Sequence, residues 1–253
     1  MKPLVVKLGG SALDAIPVLE KLLLALNELP RPWVLVHGGG RRVDEVLKQA
    51  GIEPQKKNGK RITCEQSLPL VAGTLAGEVN KKLVAKARSL GLEPIGLSLA
   101  DGIAQAEPLG EDWGAVGKLV GGNPAPLTLM LDGGFVPFVS SISADAEGKL
   151  LNINADEAAV KVAELLQADL LLLTDVTGVL DGKGQLLPRL DGQAIASLKA
   201  QSVISGGMVV KVEAALDAAK TLGQGVRLAS WRQPHQLQAM ACGDSPFGTL
   251  ISA

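Results

Sequence analysis

Apolar and polar positions along the chain alternate between two periods. Short, nearly uninterrupted apolar runs occur at Leu4–Leu8, Trp33–His37, Pro94–Leu99, Val136–Ser140, Leu170–Thr174 and Val226–Ser230. Runs of this length and composition predict strands buried on both faces. Between them, apolar residues recur at helical spacing over Asp14–Glu28, Arg41–Gln49, Cys64–Leu90, Pro126–Leu131, Ala155–Gln167, Gln193–Ala200 and Gly207–Leu222. Asp14 is placed to cap the first helix, and Thr63 with Gln66 to form a capping box for the third. Strand followed by helix, repeated, predicts βαβ units and a mostly parallel central sheet. The stretches Ile103–Val120 and Ala144–Ile153 fit neither period and predict hairpins or excursions from that sheet. A second strand–loop–helix series begins near residue 172, which sets an expected division into residues 1–172 and 173–253.

Composition narrows the function. With 25 Lys+Arg against 26 Asp+Glu, the net charge of −1 supplies no field for a polyanionic nucleic acid or a membrane surface. The absence of Tyr, with three Phe and three Trp, leaves no set of aromatic platforms for stacking bases. Two cysteines (Cys64, Cys242) and two histidines (His37, His235) provide no Cys/His spacing for a structural zinc. No apolar run reaches membrane-spanning length and the start lacks the parts of a signal peptide, so a cytoplasmic protein with reduced thiols is expected.

The 30 glycines stand out, and two clusters directly follow predicted strands: Gly9-Gly10 and Gly38-Gly39-Gly40. At the C-terminal edge of a parallel sheet, glycines let backbone N–H groups approach an anion, although they also serve simply to turn tight corners. Neither cluster is a Walker loop or a GxGxxG loop. Lys7 lies inside an apolar strand, where a cation needs a charged partner or a site; Lys211 repeats the pattern at the start of an apolar helix. Either could instead snorkel to solvent. In Asn152-Ile153-Asn154-Ala155-Asp156, Asn154 is the natural N-cap and Asp156 suits the first helical turn, but capping leaves Asn152 unexplained. Asp175, in Thr174-Asp175-Val176-Thr177-Gly178-Val179-Leu180, ends a strand and is either an Asx turn or a site acid.

Together with Asn58-Gly59-Lys60-Arg61-Ile62-Thr63 and Gly206-Gly207-Met208-Val209-Val210-Lys211, and in the same order, these segments resemble the amino acid kinase family. Within it, the chain is similar to the branch that phosphorylates the side-chain carboxylate of N-acetyl-L-glutamate in arginine biosynthesis. The resemblance implies a three-layer αβα sandwich: residues 1–172 for acetylglutamate binding and dimerisation, residues 173–253 for ATP. It implies Lys7 and Lys211 as the pair that stabilises the transferring phosphoryl group, oriented by Asp156. It places Gly39, Gly40, Arg61 and Asn152 at acetylglutamate, with Arg61 suited to the α-carboxylate. It places Gly9 and Gly10, the segment from Asp175 through Val176, Thr177, Gly178 and Val179 to Leu180, and Val203, Ile204 and Ser205 at the nucleotide. Mg²⁺ would arrive with the nucleotide rather than in a metal site of the protein. The chain opens directly on its first strand, so the resemblance implies a homodimer insensitive to arginine. A sister kinase for N-acetyl-aminoadipate or another small acid, and a non-catalytic ligand-sensing relative, are the competing expectations.

Overall fold

The computed structural model describes residues 1–57, 60–237 and 248–253. Asn58, Gly59 and Cys242, singled out above, lie outside the described residues. The central sheet has the order β12 (Arg189–Leu190), β14 (Thr249–Ile251), β13 (Val226–Ser230), β11 (Asp169–Thr174), β1 (Leu4–Leu8), β2 (Trp33–His37), β8 (Val136–Ser140), β5 (Pro94–Ser98). All neighbouring pairs in it are parallel except β13 with β14.

Alternation along the strands divides the core in two. On β1, Val5 enters one cluster and Leu4, Val6 and Leu8 the other; on β2, Val34 and Val36 part in the same way from Trp33 and Leu35. Each buried Leu or Val contributes about 1.5–3 kcal/mol, so a strand apolar on both faces must be covered on both. One cover is α1 (Gly10–Leu13), α2 (Ile16–Asn27) and α5 (Asn80–Ser89). The other is α6 (Ala125–Asp132), α7 (Ala155–Leu165), α8 (Gly192–Ala200) and α9 (Gly207–Leu222). Both α7 and α9 bury mainly alanines (Ala158, Ala159, Ala163; Ala215, Ala218, Ala219), which lets the helices lie close to the sheet. The result is the expected three-layer αβα sandwich. Residue 172 lies within β11, inside this continuous sheet.

The aperiodic stretches form a second, four-stranded sheet of β10 (Leu150–Asn152), β9 (Ile142–Ala144), β6 (Ala104–Pro108) and β7 (Gly117–Gly122). A small hairpin, β3 (Lys56–Lys57) with β4 (Lys60–Arg61), follows α3 (Gly40–Gln49).

Two capping expectations fail. Asp14 is the C-cap of α1, and its carboxylate pairs with Arg41 at 2.7 Å; α2 starts after Ala15 with Pro17 in its first turn. Thr63 caps nothing: it is buried, forms a bridge with Gly114, and its Oγ1 accepts a hydrogen bond from Asn152 Nδ2 at 3.0 Å. The helical run therefore begins at α4 (Leu68–Ala72), with Pro69 in its first turn, and passes through a π-helical segment, Gly73–Val79, into α5. Non-local pairing of Thr63 with Gly114 and Asn152 overrides its local capping signal.

Candidate active site

β1 lies between β11 and β2, and Lys7 shares the face of Val5, under α7. Its side chain is 16% exposed, a depth at which a lone ammonium would be costly. Asp156 answers it, with Nζ to Oδ1 at 2.8 Å. The first turn of α7 that carries Asp156 is itself fixed by Asn154, whose side chain accepts hydrogen bonds from the backbone N–H groups of Asp156 and Glu157. Cap and site acid are thus consecutive parts of one construction.

On the β2 side, a cavity of about 210 Å³ is lined by Gly38, Gly39, Gly40, Lys60, Arg61, Leu75, Ser141, Asn152, Asn154 and Glu157, among others. Arg61 is the most deeply placed cation there, with 8% of its side chain exposed. Its Nη2 donates to the Gly40 carbonyl at 2.9 Å and pairs with Asp44 at 2.5 Å, while Nη1 is buried with no hydrogen-bond partner among the described residues. Burial opposes ionisation of Asp44, yet Lys56 and Arg61 hold its carboxyl below the usual range. Lys60 pairs with Glu157 across the cavity, joining the hairpin to α7.

The glycine loop under this cavity rests directly on the π-helical segment. A Cβ on Gly39 would stand 3.0 Å from Leu75 Cδ2 and 3.2 Å from Val79 Cγ2, so a side chain there would push the two apart. The loop is also held from within. His37 is buried, its Nδ1–H donates to the Gly38 carbonyl at 2.9 Å, and Nε2 accepts from Asn80 Nδ2 at 3.0 Å. That same Asn80 nitrogen donates to the Phe138 carbonyl at 2.8 Å, which fixes the amide orientation and with it the neutral tautomer of the ring. Burial lowers the His37 pKa to about 4.

On the β11 side, a second cavity of about 540 Å³ is lined by Asp175, Val176, Thr177, Gly178, Leu180, Val203, Ile204, Ser205, Met208, Ser230, Arg232 and Gln233. Val176, Leu180, Ile204 and Met208 give it an apolar wall, with Asp175 and Thr177 on its polar side. Lys211, in the second turn of α9, is ion-paired to Asp175. Hydrogen bonds from Lys211 and then from the Thr174 hydroxyl pull the Asp175 carboxyl down to about 2. The two cavities therefore flank the strand that carries Lys7.

The amino acid kinase family, described under that name, matches residues 2–230. The chain is 49% identical to the acetylglutamate kinase of Aeromonas salmonicida over 98% of both chains, and 48% identical to that of Pasteurella multocida over 99% of both. A Streptococcus mutans UA159 protein of known crystal structure superposes with a TM-score of 0.76 at 28% identity, over 99% of this chain and 98% of that one. The chain belongs to the amino acid kinase family.

In this amino acid kinase, the first cavity brings together Gly39, Gly40, Arg61 and Asn152, and the second brings together Asp175–Leu180, without Val179, and Val203–Ser205. Val179 is instead a core residue, its backbone N–H donating to Thr249 Oγ1 at 2.8 Å. Gly9 is the N-cap of α1, and Gly10 lies against Gly40: a Cβ on it would be 3.5 Å from the Gly40 nitrogen, which sets the two glycine loops side by side. Asp156 pairs with Lys7, and Lys211 pairs with Asp175. No sequence signal assigned an individual role to Asp44, Lys60 or Glu157 around the first cavity, or to Met208, Ser230, Arg232 or Gln233 around the second. Glu157 adjoins a residue already singled out and could have been found. Asp44 carried no signal, because its partners Lys56 and Arg61 lie on a hairpin that sequence periodicity does not reveal.

Proposed function

We propose that the protein transfers the γ-phosphoryl group of ATP to the side-chain carboxylate of N-acetyl-L-glutamate, giving N-acetyl-L-glutamyl 5-phosphate in arginine biosynthesis. The observation that carries the reading is Lys7, ion-paired to Asp156 on the strand between the two cavities. The acetylglutamate kinases to which the chain is similar supply the substrate.

On this reading the first cavity takes the acceptor. The unpaired Nη1 of Arg61 meets the α-carboxylate, and Asn152, anchored through Thr63, meets the acylated amino group. The second cavity takes the nucleotide, its base against the apolar wall and its phosphates toward Lys211 and Asp175. Gly9 and Gly10 offer backbone N–H groups to those phosphates. Lys7 and Lys211 neutralise charge as it spreads over the equatorial oxygens of the transferring group. Asp156 and Asp175 each position one lysine, and neither serves as a base, because a carboxylate acceptor with a pKa near about 4 is already ionised at neutral pH. Mg²⁺ would arrive on the phosphate oxygens of the nucleotide and neutralise part of their charge.

The acceptor cavity draws on residues up to 157 and the donor cavity on residues from 175 onward, which supports an acceptor lobe of residues 1–172 and a donor lobe of residues 173–253. The resemblance further supports a homodimer and a cytoplasmic location. No helix among the described residues is long and apolar enough to cross a membrane. The test of the reading is ADP release with acetylglutamate, N-acetyl-aminoadipate, glutamate, carbamate and UMP as acceptors. Fastest turnover of acetylglutamate is expected; faster turnover of any rival would replace the substrate, and binding of both ligands without ADP release would favour a non-catalytic protein.

A further inference from the structure

The cations described so far around and between the two cavities are each held by a carboxylate: Lys7 by Asp156, Arg61 by Asp44, Lys60 by Glu157 and Lys211 by Asp175. Arg232 differs. It lines the second cavity, is exposed, and has no carboxylate partner among the described residues. It is nevertheless held in place. Its guanidinium carbon lies 4.7 Å from the ring centroid of Trp231, which is itself buried, and its backbone N–H donates to Ser230 Oγ at 3.1 Å. Stacking on a fixed indole reduces the rotamer entropy that an exposed arginine would lose on meeting a ligand.

The sheet places this residue at the polar end of the cavity. Ser230 is in register with Thr174, and the Trp231 backbone N–H donates to the Thr174 carbonyl at 3.0 Å, so Asp175 and Arg232 leave neighbouring strand ends over the same edge. Lys211 neutralises Asp175, which leaves the cavity wall with the positive charge of Arg232. The geometry points to Arg232 as a further binding residue for the donor, contacting the phosphates between the nucleoside and the transferring group. This assignment rests on the donor-site reading above. A planar, permanently charged guanidinium suits a phosphate diester or terminal phosphate better than a mobile ammonium.

Calorimetric titration of adenosine and of ADP into the full-length protein tests the assignment, with Arg232→Met, which keeps an aliphatic cover on Trp231, and with Arg232→Lys. Arg232→Met is expected to weaken ADP about tenfold, the effect of one exposed charge-assisted contact, and to leave adenosine within twofold. Arg232→Lys should recover part of the loss, and the difference between wild type and Arg232→Met should shrink as salt rises. In turnover, KM for ATP should rise while kcat and the acetylglutamate KM stay within twofold. Unchanged ADP affinity in Arg232→Met overturns the assignment. So does an equal loss of ADP and adenosine, which would make Arg232 a support for the cavity wall. Ile204→Asp separates the two levels of the argument. If it leaves adenosine binding intact, the donor-site reading falls and the Arg232 role with it; if it abolishes binding while Arg232→Met changes nothing, only the Arg232 role falls.

Discussion

Acid should destabilise this protein through one buried ring. His37 is fully buried, and both its nitrogens are engaged in the neutral form, Nδ1–H with the Gly38 carbonyl and Nε2 with the Asn80 amide. Protonation would place a second proton against the Asn80 amino group and a charge in the core, and Lys81 adds further repulsion. The folded chain therefore binds this proton only near pH 4, whereas the unfolded chain binds it near 6.5. Between those values the unfolded state holds more protons, so stability is fully present above pH 6.5 and falls as pH drops toward 4. At about 1.4 kcal/mol per pH unit, the whole interval amounts to about 3 kcal/mol, most of it lost by pH 4.5. Urea unfolding of wild type and His37→Gln at pH 7.5, 6.5, 5.5 and 4.5 isolates the effect, because the carboxylates of Asp44, Asp169, Asp175 and Glu78 titrate in both proteins. The stability advantage of wild type over the variant should shrink by about 2–3 kcal/mol across the series. Parallel pH profiles for the two proteins would mean that the fold does not hold His37 neutral.

Three further outcomes follow from the site. Lys7→Met and Lys211→Met should each lower kcat by about a thousandfold or more with a smaller change in either KM, since their charges act mainly in the transition state; initial-rate kinetics check this, and losses confined to KM would contradict it. Arg61→Ala should raise the acetylglutamate KM about a hundredfold and leave the ATP KM unchanged, as expected for a buried charge-assisted contact; an unaltered acceptor KM would remove the α-carboxylate assignment. Gly114→Ala should cost at least about 2 kcal/mol in chemical unfolding. Its φ is +63°, and an added Cβ would stand 2.4 Å from the Thr63 carbonyl oxygen, displacing the residue that anchors Asn152.

Much of the scaffold was legible from local pattern because buried parallel strands must be apolar on both faces. The runs at residues 4–8, 33–37, 136–140 and 226–230 coincide with β1, β2, β8 and β13. Helix starts were less legible. Asp14 and Thr63 have the chemistry of caps, but a salt bridge to Arg41 and a bridge to Gly114 claim them instead. The π-helical turn at residues 73–79 has no distinct periodicity, and its significance appears only where Leu75 and Val79 meet Gly39. At the site, Lys7 was conspicuous as a charge inside an apolar strand, and Asn152 as a polar residue that capping did not explain. Their partners were less so: Asp156 is 149 positions from Lys7, Glu157 is 97 from Lys60, and Arg232 follows a strand end whose neighbour is β11.

Passage of a phosphoryl group across β1 from ATP to a carboxylate must generate an acyl phosphate. The direct measurement is to incubate the protein with ATP, Mg²⁺ and acetylglutamate in hydroxylamine, which converts an acyl phosphate into a stable hydroxamate. Acetylglutamyl hydroxamate in equal amount to ADP is expected, and none of either from Lys7→Met over the same interval. ADP formed without hydroxamate, or hydroxamate formed equally well by Lys7→Met, would contradict it.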